Sequence, residues 1–516
     1  MKKLTREEIA AHLSEPNGSV QLAQMNVDQD SLFENALAMF REEGAASALL
    51  IRLAAKKQYL IRLSEDEEFI KDARAALESG SAKLRRNAAR LIGLVRDEGS
   101  ADALIAALGS EEQRFVRPSL ILALGSTGGE KAGEFLKNYK VAPPADETEQ
   151  KHYNEETEAL VTALRSFAPR TEHEFTGLGC ERTIELRSAD QLTHQLAEEL
   201  EDFGVESFDH RRSSLKVTTS DYPALFEARC FSEALFPVGS CEATPSLIAR
   251  KAAPFIEKLM REAHSGEPPY RFRVENALSL PESVSRPQLT RAVSAALENA
   301  SLVNAPSDYE AELRMEGSLG SARLYVKLFT FADTRFSYRE GSIPASMAPS
   351  TAASVLRFAS EYLSVNARVI DPCCGSGTFL IERGLLSPCA SLTGVDIAHK
   401  AIDIARRNTY LAGVNAKYTV NDILRFECHR PYDELIANLP FGNRVGDHSS
   451  CEKLYSGLLA KLPKLVKKGG VAILYTMEFT LLKRLLRGHA DHLTLLSQAR
   501  TEAGGLTPMI FIIRVD

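Results

Sequence analysis

Residues 1–165 carry apolar positions three and four residues apart, separated by polar ones, in one segment after another. This spacing is typical of amphipathic helices. Two of the segments, LRRNAARLIG (84–93) and VRPSLILALG (116–125), align without gaps, and each begins with an apolar residue and arginine and closes on glycine, a common helix end signal. A period of about 30 residues in an all-helical sequence predicts stacked helix pairs. We therefore predict a helical repeat domain over residues 1–168.

From about residue 172 the pattern changes to short segments with period-two alternation, mixed with helical ones. The predicted strands are 215–220, 270–278, 309–316 and 322–330, the last two as a hairpin, and the predicted helices are 189–204 and 285–300. This mixture predicts a small α+β region over residues 172–335. Residues 166–175 are the expected linker, and the proline-bearing, acidic stretch 141–158 is expected to be an exposed loop.

A third pattern begins near residue 341, where apolar strands and amphipathic helices alternate along the chain. The strands are 391–397, 416–422, 432–438, 469–476 and 504–516, the helices are 350–363 and 399–413, and 367–386 is a strand, a glycine-rich turn and a helix. Strict alternation predicts a parallel sheet with helices on both faces, an α/β domain over residues 341–516. In such sheets ligands bind beyond the carboxyl ends of the strands.

Composition narrows the class of protein. Hydrophobic residues make up 44% and charged residues 25%, the balance of a globular chain, and no apolar run approaches the roughly 18 residues that span a bilayer. The eight cysteines include no Cys-x-x-Cys pair and fit neither a disulfide framework nor a zinc site. We expect a cytoplasmic protein with reduced thiols, no bound metal and no membrane partner.

A net charge of −7 argues against a broadly basic nucleic-acid surface. A local basic stripe is still compatible with this charge. The candidates are Arg211, Arg212 and Lys216, or Arg271, Arg273 and Arg291.

Four polar side chains fall at the ends of four separate predicted strands: Asp371, Asp396, Asp422 and Asn438. Because parallel strands end at one edge of a sheet, we expect these side chains to converge on one crevice. Gly375 and Gly377 lie between the first strand and its helix, where glycine lets the backbone approach a ligand.

The acids decide between ligand classes. A dinucleotide fingerprint needs a third glycine where this chain has Leu380, and a carboxylate at Asp371 repels phosphate but attracts a cation. Asp396 is spaced to accept hydrogen bonds from ribose hydroxyls, and Asp422 to accept one from an adenine amino group. A ligand with ribose, adenine and a positive centre but no phosphate is S-adenosylmethionine.

The segment Asn438-Leu439-Pro440-Phe441 then acquires a chemical role beside a methyl donor. The Asn438 amide oxygen and the Leu439 carbonyl can accept both hydrogens of an exocyclic amino group on a base, and so direct its lone pair at the methyl group. Pro440 fixes the loop, and Phe441 offers a stacking face worth roughly 1–3 kcal/mol. Catalysis is then mainly positioning.

These motifs resemble known families. The repeated arginine and the closing apolar residue and glycine of the N-terminal segments resemble HEAT repeats. DPCCGSGT, GVDI, ND and NLPFG resemble class I (Rossmann-like) amino-methyltransferases, and the lead-in TRFSYREGSIPASMAPSTAASVLRFA (334–359) resembles THUMP-containing RNA guanine-N2 methyltransferases. The region 172–335 then resembles their ferredoxin-like plus THUMP module.

The resemblance implies a substrate and site residues. The substrate would be the N2 amino group of a guanosine in structured RNA, most often in a tRNA acceptor stem. The catalytic residues would be Asn438, Leu439, Pro440 and Phe441, and the donor would be held by Asp371, Gly375, Gly377, Thr378, Asp396, Ile397, Asp422 and Asn438, with Arg339 at the entrance.

Three alternatives remain open. The same site would serve a ribosomal-RNA guanine-N2 methyltransferase or a DNA adenine-N6 methyltransferase. A HEAT-scaffold RNA-binding protein whose methyltransferase fold is inactive is the third. The helical repeats are expected to offer a surface to a protein or RNA partner, because a helical stack does no chemistry itself.

Overall fold

The computed structural model describes residues 2–144, 146, 149–167, 172–343, 346–440, 448–502 and 506–516. The chain forms two compact units, Met1–Arg170 and Thr171–Asp516. Part of the linker expected at 166–175 lies outside the described residues.

The first unit is helical throughout the part that the structure describes. Its helices are α1 (Arg6–Leu13), α2 (Gly18–Gln24), α3 (Gln29–Glu43), α4 (Ser47–Leu53), α5 (Lys57–Ser64), α6 (Glu67–Ala75), α7 (Ala82–Val95), α8 (Ala101–Ser110), α9 (Arg117–Thr127), α10 (Glu130–Asn138) and α11 (Gln150–Arg165). Helices α2, α4, α7, α9 and α11 pack side by side in that order and form one layer of the stack. The two aligned segments are α7 and α9, so the prediction of stacked helices is confirmed. The loop expected at 141–158 is wrong in its second half, because α11 begins at Gln150.

The repeat glycines have a different role from the one predicted. Gly93 and Gly125 lie inside α7 and α9, which continue to Val95 and Thr127. A Cβ on Gly125 would stand 2.7 Å from the Cα of Ala163 in α11. Glycine here lets neighbouring helices of the layer approach closely, and helix termination was the wrong interpretation.

The second unit begins with a sheet of eight strands. Its elements are β1 (Arg182–Ser188), α12 (Thr193–Asp202), β2 (Ser207–Phe208), β3 (Ser214–Thr219), β4 (Phe231–Cys241), α13 (Pro245–Ala263), β5 (Tyr270–Ser279), α14 (Arg286–Leu297), β6 (Leu302–Asn304), β7 (Ala311–Ser318) and β8 (Ser321–Leu328). The strand order is β2-β3-β1-β4-β8-β7-β5-β6. β7 and β8 form the predicted hairpin, with Ser318 opposite Ser321.

A sheet of seven strands completes the second unit. Its elements are α15 (Pro349–Phe358), β9 (Ala367–Asp371), α16 (Thr378–Leu386), β10 (Cys389–Asp396), α17 (His399–Leu411), β11 (Lys417–Val420), β12 (Tyr432–Asn438), α18 (His448–Leu465), β13 (Val466–Thr476), α19 (Phe479–Arg487), β14 (Leu493–Arg500) and β15 (Met509–Val515). The strand order is β11-β10-β9-β12-β13-β15-β14, the doubly wound order that reverses direction beside the first strand. The sheet is mixed where a fully parallel one was predicted: β15 runs antiparallel between β13 and β14.

Contacts in the second unit join its two sheets. Helix α15 packs on α12, β1 and β4. Glu382 of α16 accepts hydrogen bonds from Arg229 Nε (2.8 Å) and from the Tyr338 hydroxyl (2.6 Å). Among the described residues, no helix is long and apolar enough to cross a membrane, and no group of three or more acidic, His or Cys side chains is arranged to hold a metal ion.

Candidate active site

Three neighbouring parallel strands bring their carboxyl ends to one edge of the seven-stranded sheet. β9 lies between β10 and β12, and these strands end at Asp371, Asp396 and Asn438. Asn438 pairs with Tyr475 of β13, which extends the same edge. The convergence expected from the sequence is therefore present for three of the four strand-end residues.

A cavity of about 500 Å³ opens at this edge. Eight of the residues expected at the site line it: Asp371, Gly375, Thr378, Asp396, Ile397, Asn438, Leu439 and Pro440. The structure thus brings donor-site and catalytic candidates to one cavity.

Four expected residues are placed differently. Gly377 does not line the cavity, although it lies between the lining residues Ser376 and Thr378. It is the N-cap residue of α16 and has a φ of 80°. Asp422 is not among the lining residues; its Oδ1 accepts the Leu424 amide hydrogen at 2.9 Å. Arg339 also does not line it. Phe441 lies outside the described residues, so its stacking role stays a prediction.

The sequence alone did not identify part of the cavity wall. The additional lining residues are Ile343, Ser346, Met347, Ala348, Thr351, Cys373, Cys374, Ser376, Phe379, Ala398, Tyr475, Leu506 and Pro508. The first five come from the stretch 334–359, whose small and polar residues at the start of α15 were a usable signal. Ser346 Oγ lies 2.8 Å from Ser376 Oγ, which ties this stretch to the glycine-rich loop.

Asp396 organises the loop that follows β9. Its Oδ2 accepts the Gly375 amide hydrogen at 2.9 Å, and its Oδ1 accepts that of Ala398 at 2.9 Å. The Cys374 amide donates to the Val395 carbonyl at 3.0 Å. A carboxylate has about four acceptor sites, so Asp396 keeps capacity for a ligand while it holds the loop on β10.

The cavity is electrostatically suited to a cation. Burial, together with the nearby charge of Asp396, raises the pKa of Asp371 to about 8, against the one hydrogen bond from the Cys373 amide that lowers it. Burial and the charges of Asp371, Asp396 and Asp422 also raise the pKa of the Cys373 thiol. Among the described residues that line the cavity there is no Lys, Arg or His. A positive ligand would stabilise the ionised carboxylates of the cavity, and these carboxylates would repel a phosphate.

These features fit S-adenosylmethionine and disfavour a dinucleotide. The buried Asp371 and the half-buried Asp396 suit a sulfonium and ribose hydroxyls. Ile397, 75% exposed at the cavity wall, offers an apolar face to a flat base. The glycine-rich loop approaches the cavity with main-chain atoms at Gly375.

The loop after β12 is held by hydrogen bonds to its backbone. The Leu439 amide donates to the Tyr475 carbonyl at 2.9 Å. The Tyr455 hydroxyl of α18 donates to the Pro440 carbonyl at 2.8 Å and lies 2.6 Å from Thr476 Oγ1. Among the described residues of this loop, Asn438 and Leu439 line the cavity, and their amide oxygen and carbonyl are candidate acceptors for an amino group.

The candidate basic stripes are largely neutralised inside the second unit. Five of the six basic residues form ion pairs: Arg211 and Lys216 with Asp209, Arg212 with Asp190, Arg271 with Glu310, and Arg273 with Glu312. Paired charges attract phosphate more weakly than unpaired ones, so these five residues offer a reduced positive charge to RNA.

Comparison with known proteins agrees with this geometry. Residues 337–502 match the RMKL-like methyltransferase domain family, and residues 70–150 match HEAT repeats. The chain is 28% identical over 308 residues to the tRNA (guanine(6)-N2)-methyltransferase of Thermus thermophilus, covering 58% of this chain and 85% of that protein.

Two solved structures share the fold. The TrmN structure from Thermus thermophilus has a TM-score of 0.50 at 22% identity and covers 65% of this chain and all of its own. The structure of SMU.472, a putative methyltransferase complexed with SAH, has a TM-score of 0.52 at 15% identity, covering 65% of this chain and 98% of its own. The second unit therefore has the Rossmann-like methyltransferase fold, and the prediction of a methyltransferase domain beside HEAT repeats is confirmed.

Proposed function

We propose that this protein transfers a methyl group from S-adenosylmethionine to the N2 amino group of a guanosine in structured RNA, specifically in the acceptor stem of a tRNA. The observation that carries the proposal is the position of Asn438, Leu439 and Pro440 in the wall of the same cavity as Asp371 and Asp396. The name of the Thermus relative, a tRNA guanine-N2 methyltransferase, supports the choice of base and RNA.

The chain's own residues perform the positioning. The donor supplies an electrophilic methyl group when bound. Asp371 lines the cavity and is favoured in its ionised form by a positive donor, and Asp396 holds the Gly375 loop against β10. Asn438 and the Leu439 carbonyl accept the two amino hydrogens of guanine, which turns the nitrogen lone pair toward the methyl group. Holding two reactants in line in this way removes most of the entropic cost of the step.

The regions around the site complete the proposal. We assign residues 172–335 the role of the ferredoxin-like and THUMP-like RNA-binding module, since this sheet joins the methyltransferase sheet through Glu382. The eight cysteines are free thiols, which supports a cytoplasmic setting.

Methyl transfer from labelled donor tests the function. Purified protein is incubated with tRNA, with ribosomal RNA or with DNA, and the product nucleoside is identified. We expect N2-methylguanosine from tRNA. Label in N6-methyladenine of DNA, or in ribosomal RNA alone, would contradict the proposed substrate, and absence of donor binding by calorimetry would favour an inactive scaffold.

Two variants separate the roles of the site residues. Asn438→Ala is expected to lower methylation by roughly 10²-fold or more, the usual effect of losing one positioning contact, with donor affinity kept. Asp396→Ala is expected to weaken donor binding first. If Asn438→Ala lost donor binding equally, this residue would belong to the donor site alone.

A further inference from the structure

One layer of the helical unit differs in charge from the rest of the protein. Acidic residues outnumber basic ones in residues 1–171. Helices α2, α4, α7 and α9 nevertheless contain no Asp or Glu over their described ranges, and these four helices lie side by side. Helix α11, the last of the layer, carries Glu155, Glu156 and Glu158, so the basic part of the layer is limited to α4, α7 and α9.

Two arginines of this layer are explained by packing. Arg85 pairs with the buried Glu111 at 2.7 Å, and Arg117 donates to the Glu111 carbonyl at 2.8 Å. These contacts fix the ends of α7 and α9 in the stack. They need no ligand.

Three other arginines, with Lys83, have no such explanation. Arg86 and Arg90 stand one helical turn apart on α7, Lys83 lies on the same face, and Arg52 lies on the adjacent α4. All four are exposed, and within the part of the chain that the structure describes none of them forms an ion pair. Arg52 makes one polar side-chain contact, to Ser19 at 3.3 Å. We call these four residues the arginine patch.

The positively charged side chains of the arginine patch repel one another. Partial desolvation and the positive charges of Arg86 and Arg52 lower the pKa of Arg90. Like charges one helical turn apart destabilise the folded state, and among the described residues no ion pair of these side chains offsets this cost. Arginines that face one another in this way offer paired N–H donors to phosphate oxygens.

We propose that the arginine patch of the HEAT-like unit binds the phosphate backbone of the substrate RNA. The inference rests on the proposed function for the choice of RNA as the partner. It supplies the uncompensated basic surface that the ion-paired arginines of the second unit do not. RNA held on the first unit is kept at a high effective concentration for the second, because both belong to one chain.

The test removes three charges from the patch in the full-length protein. The patch variant carries Arg52→Gln, Arg86→Gln and Arg90→Gln. The control variant carries Lys57→Gln, Lys71→Gln and Lys137→Gln, which removes three exposed charges from α5, α6 and α10 outside the layer. Both variants have the same net charge, and circular dichroism melts establish that both are folded.

Binding of bulk tRNA and of a short RNA duplex is measured against salt concentration. We expect the patch variant to bind at least about tenfold more weakly at low salt, and the slope of log affinity against log salt to fall by about 0.7–0.9 for each lost phosphate contact. KM for tRNA should rise while kcat at saturating RNA stays unchanged. The control variant should match the unchanged protein.

Equal RNA affinity and equal salt slopes in both variants would overturn the inference and leave an acidic protein as the partner of this face. The proposed function is judged separately, on donor binding and methyl transfer by the unchanged protein.

Discussion

At the scale of single residues, the site is set by how each polar group is satisfied. Asp396 is held by two backbone amides, whereas Asp371 is buried with one amide and an adjacent acid. The same residue type therefore has two roles. Asp396 is a scaffold carboxylate, and Asp371 is a group whose charge depends on the ligand.

Donor binding is expected to release a proton from Asp371. With a pKa of about 8 this carboxyl is mostly protonated at pH 7 in the free protein, and a positive ligand beside it favours the ionised form. Calorimetry in buffers of different ionisation enthalpy should show a release approaching about one proton per donor bound. Asp371→Asn should abolish the buffer dependence.

The same residue makes the free protein less stable as the pH rises. Its folded pKa is raised above the ordinary 3.8, so the full stability is present below about pH 4 and is lost as the pH rises to about 8. Asp371→Asn should flatten this part of the curve of unfolding free energy against pH. An unchanged slope in the variant would assign the pH dependence to other groups.

Tyr455 is expected to position the catalytic loop. Tyr455→Phe keeps the ring and removes the hydrogen bond to the Pro440 carbonyl. We expect kcat to fall by roughly tenfold, as for a contact worth about 1–1.5 kcal/mol, with donor affinity unchanged. Tyr153→Phe, a half-exposed tyrosine of α11, is the matched control. A loss of donor affinity in Tyr455→Phe would contradict a role confined to the loop.

At the scale of elements, one buried ion pair joins α16 to β12. Arg383 Nε lies 2.8 Å from Glu434, and both side chains are almost fully buried. Glu434 also accepts the Ser364 amide hydrogen at 2.7 Å. The pair ties the C-terminal half of α16 to β12.

Breaking this pair from one side should be costly. Glu434→Gln leaves the buried Arg383 charge uncompensated, and we expect a loss of about 3–5 kcal/mol in unfolding free energy. The double variant Arg383→Met, Glu434→Gln should recover part of that loss, which chemical denaturation can measure. Equal destabilisation in single and double variants would indicate damaged packing instead of an unpaired charge.

The elements predictable from sequence were those with a local signal. β9 to β13 and helices α15 to α17 carried a local hydrophobic pattern, and the polar ends of the strands identify the cavity, whereas α18 and α19 were not predicted. β14 was missed because LTLLSQAR has weak alternation, and the antiparallel insertion of β15 depends on a pairing that no local pattern records. Asp422 was expected at the end of β11, but this strand ends at Val420, and in the turn that follows the Asp422 side chain accepts the Leu424 amide hydrogen. The repeat glycines correctly marked helical segments, but they do not end the helices. They let neighbouring helices pack closely.

At the scale of the whole molecule, each compact unit has its own apolar core. One cluster of buried side chains spans the helices of the first unit, and separate clusters lie within the second. Because their cores are separate, the two units can unfold in separate transitions.

Thermal unfolding should therefore show two transitions with different ligand responses. Donor at 100 times its Kd should stabilise the second unit by about 2.7 kcal/mol and leave the transition of the first unit in place. Scanning calorimetry with and without S-adenosylmethionine measures both. A single transition that shifts as a whole would mean that the units unfold cooperatively.

Glu382 has a final consequence for how a substrate enters. Arg229, just before β4, and Tyr338, between β8 and α15, both donate hydrogen bonds to this one carboxylate in α16. Separating the two sheets would leave the buried Glu382 carboxylate without its partners, which is costly. We therefore expect the two sheets to move little relative to each other when a folded nucleic acid binds. Under the proposed function, the distortion that exposes a paired guanine would come from the RNA, and we expect a stem that frays easily to be modified faster than a rigid one of identical sequence at the target.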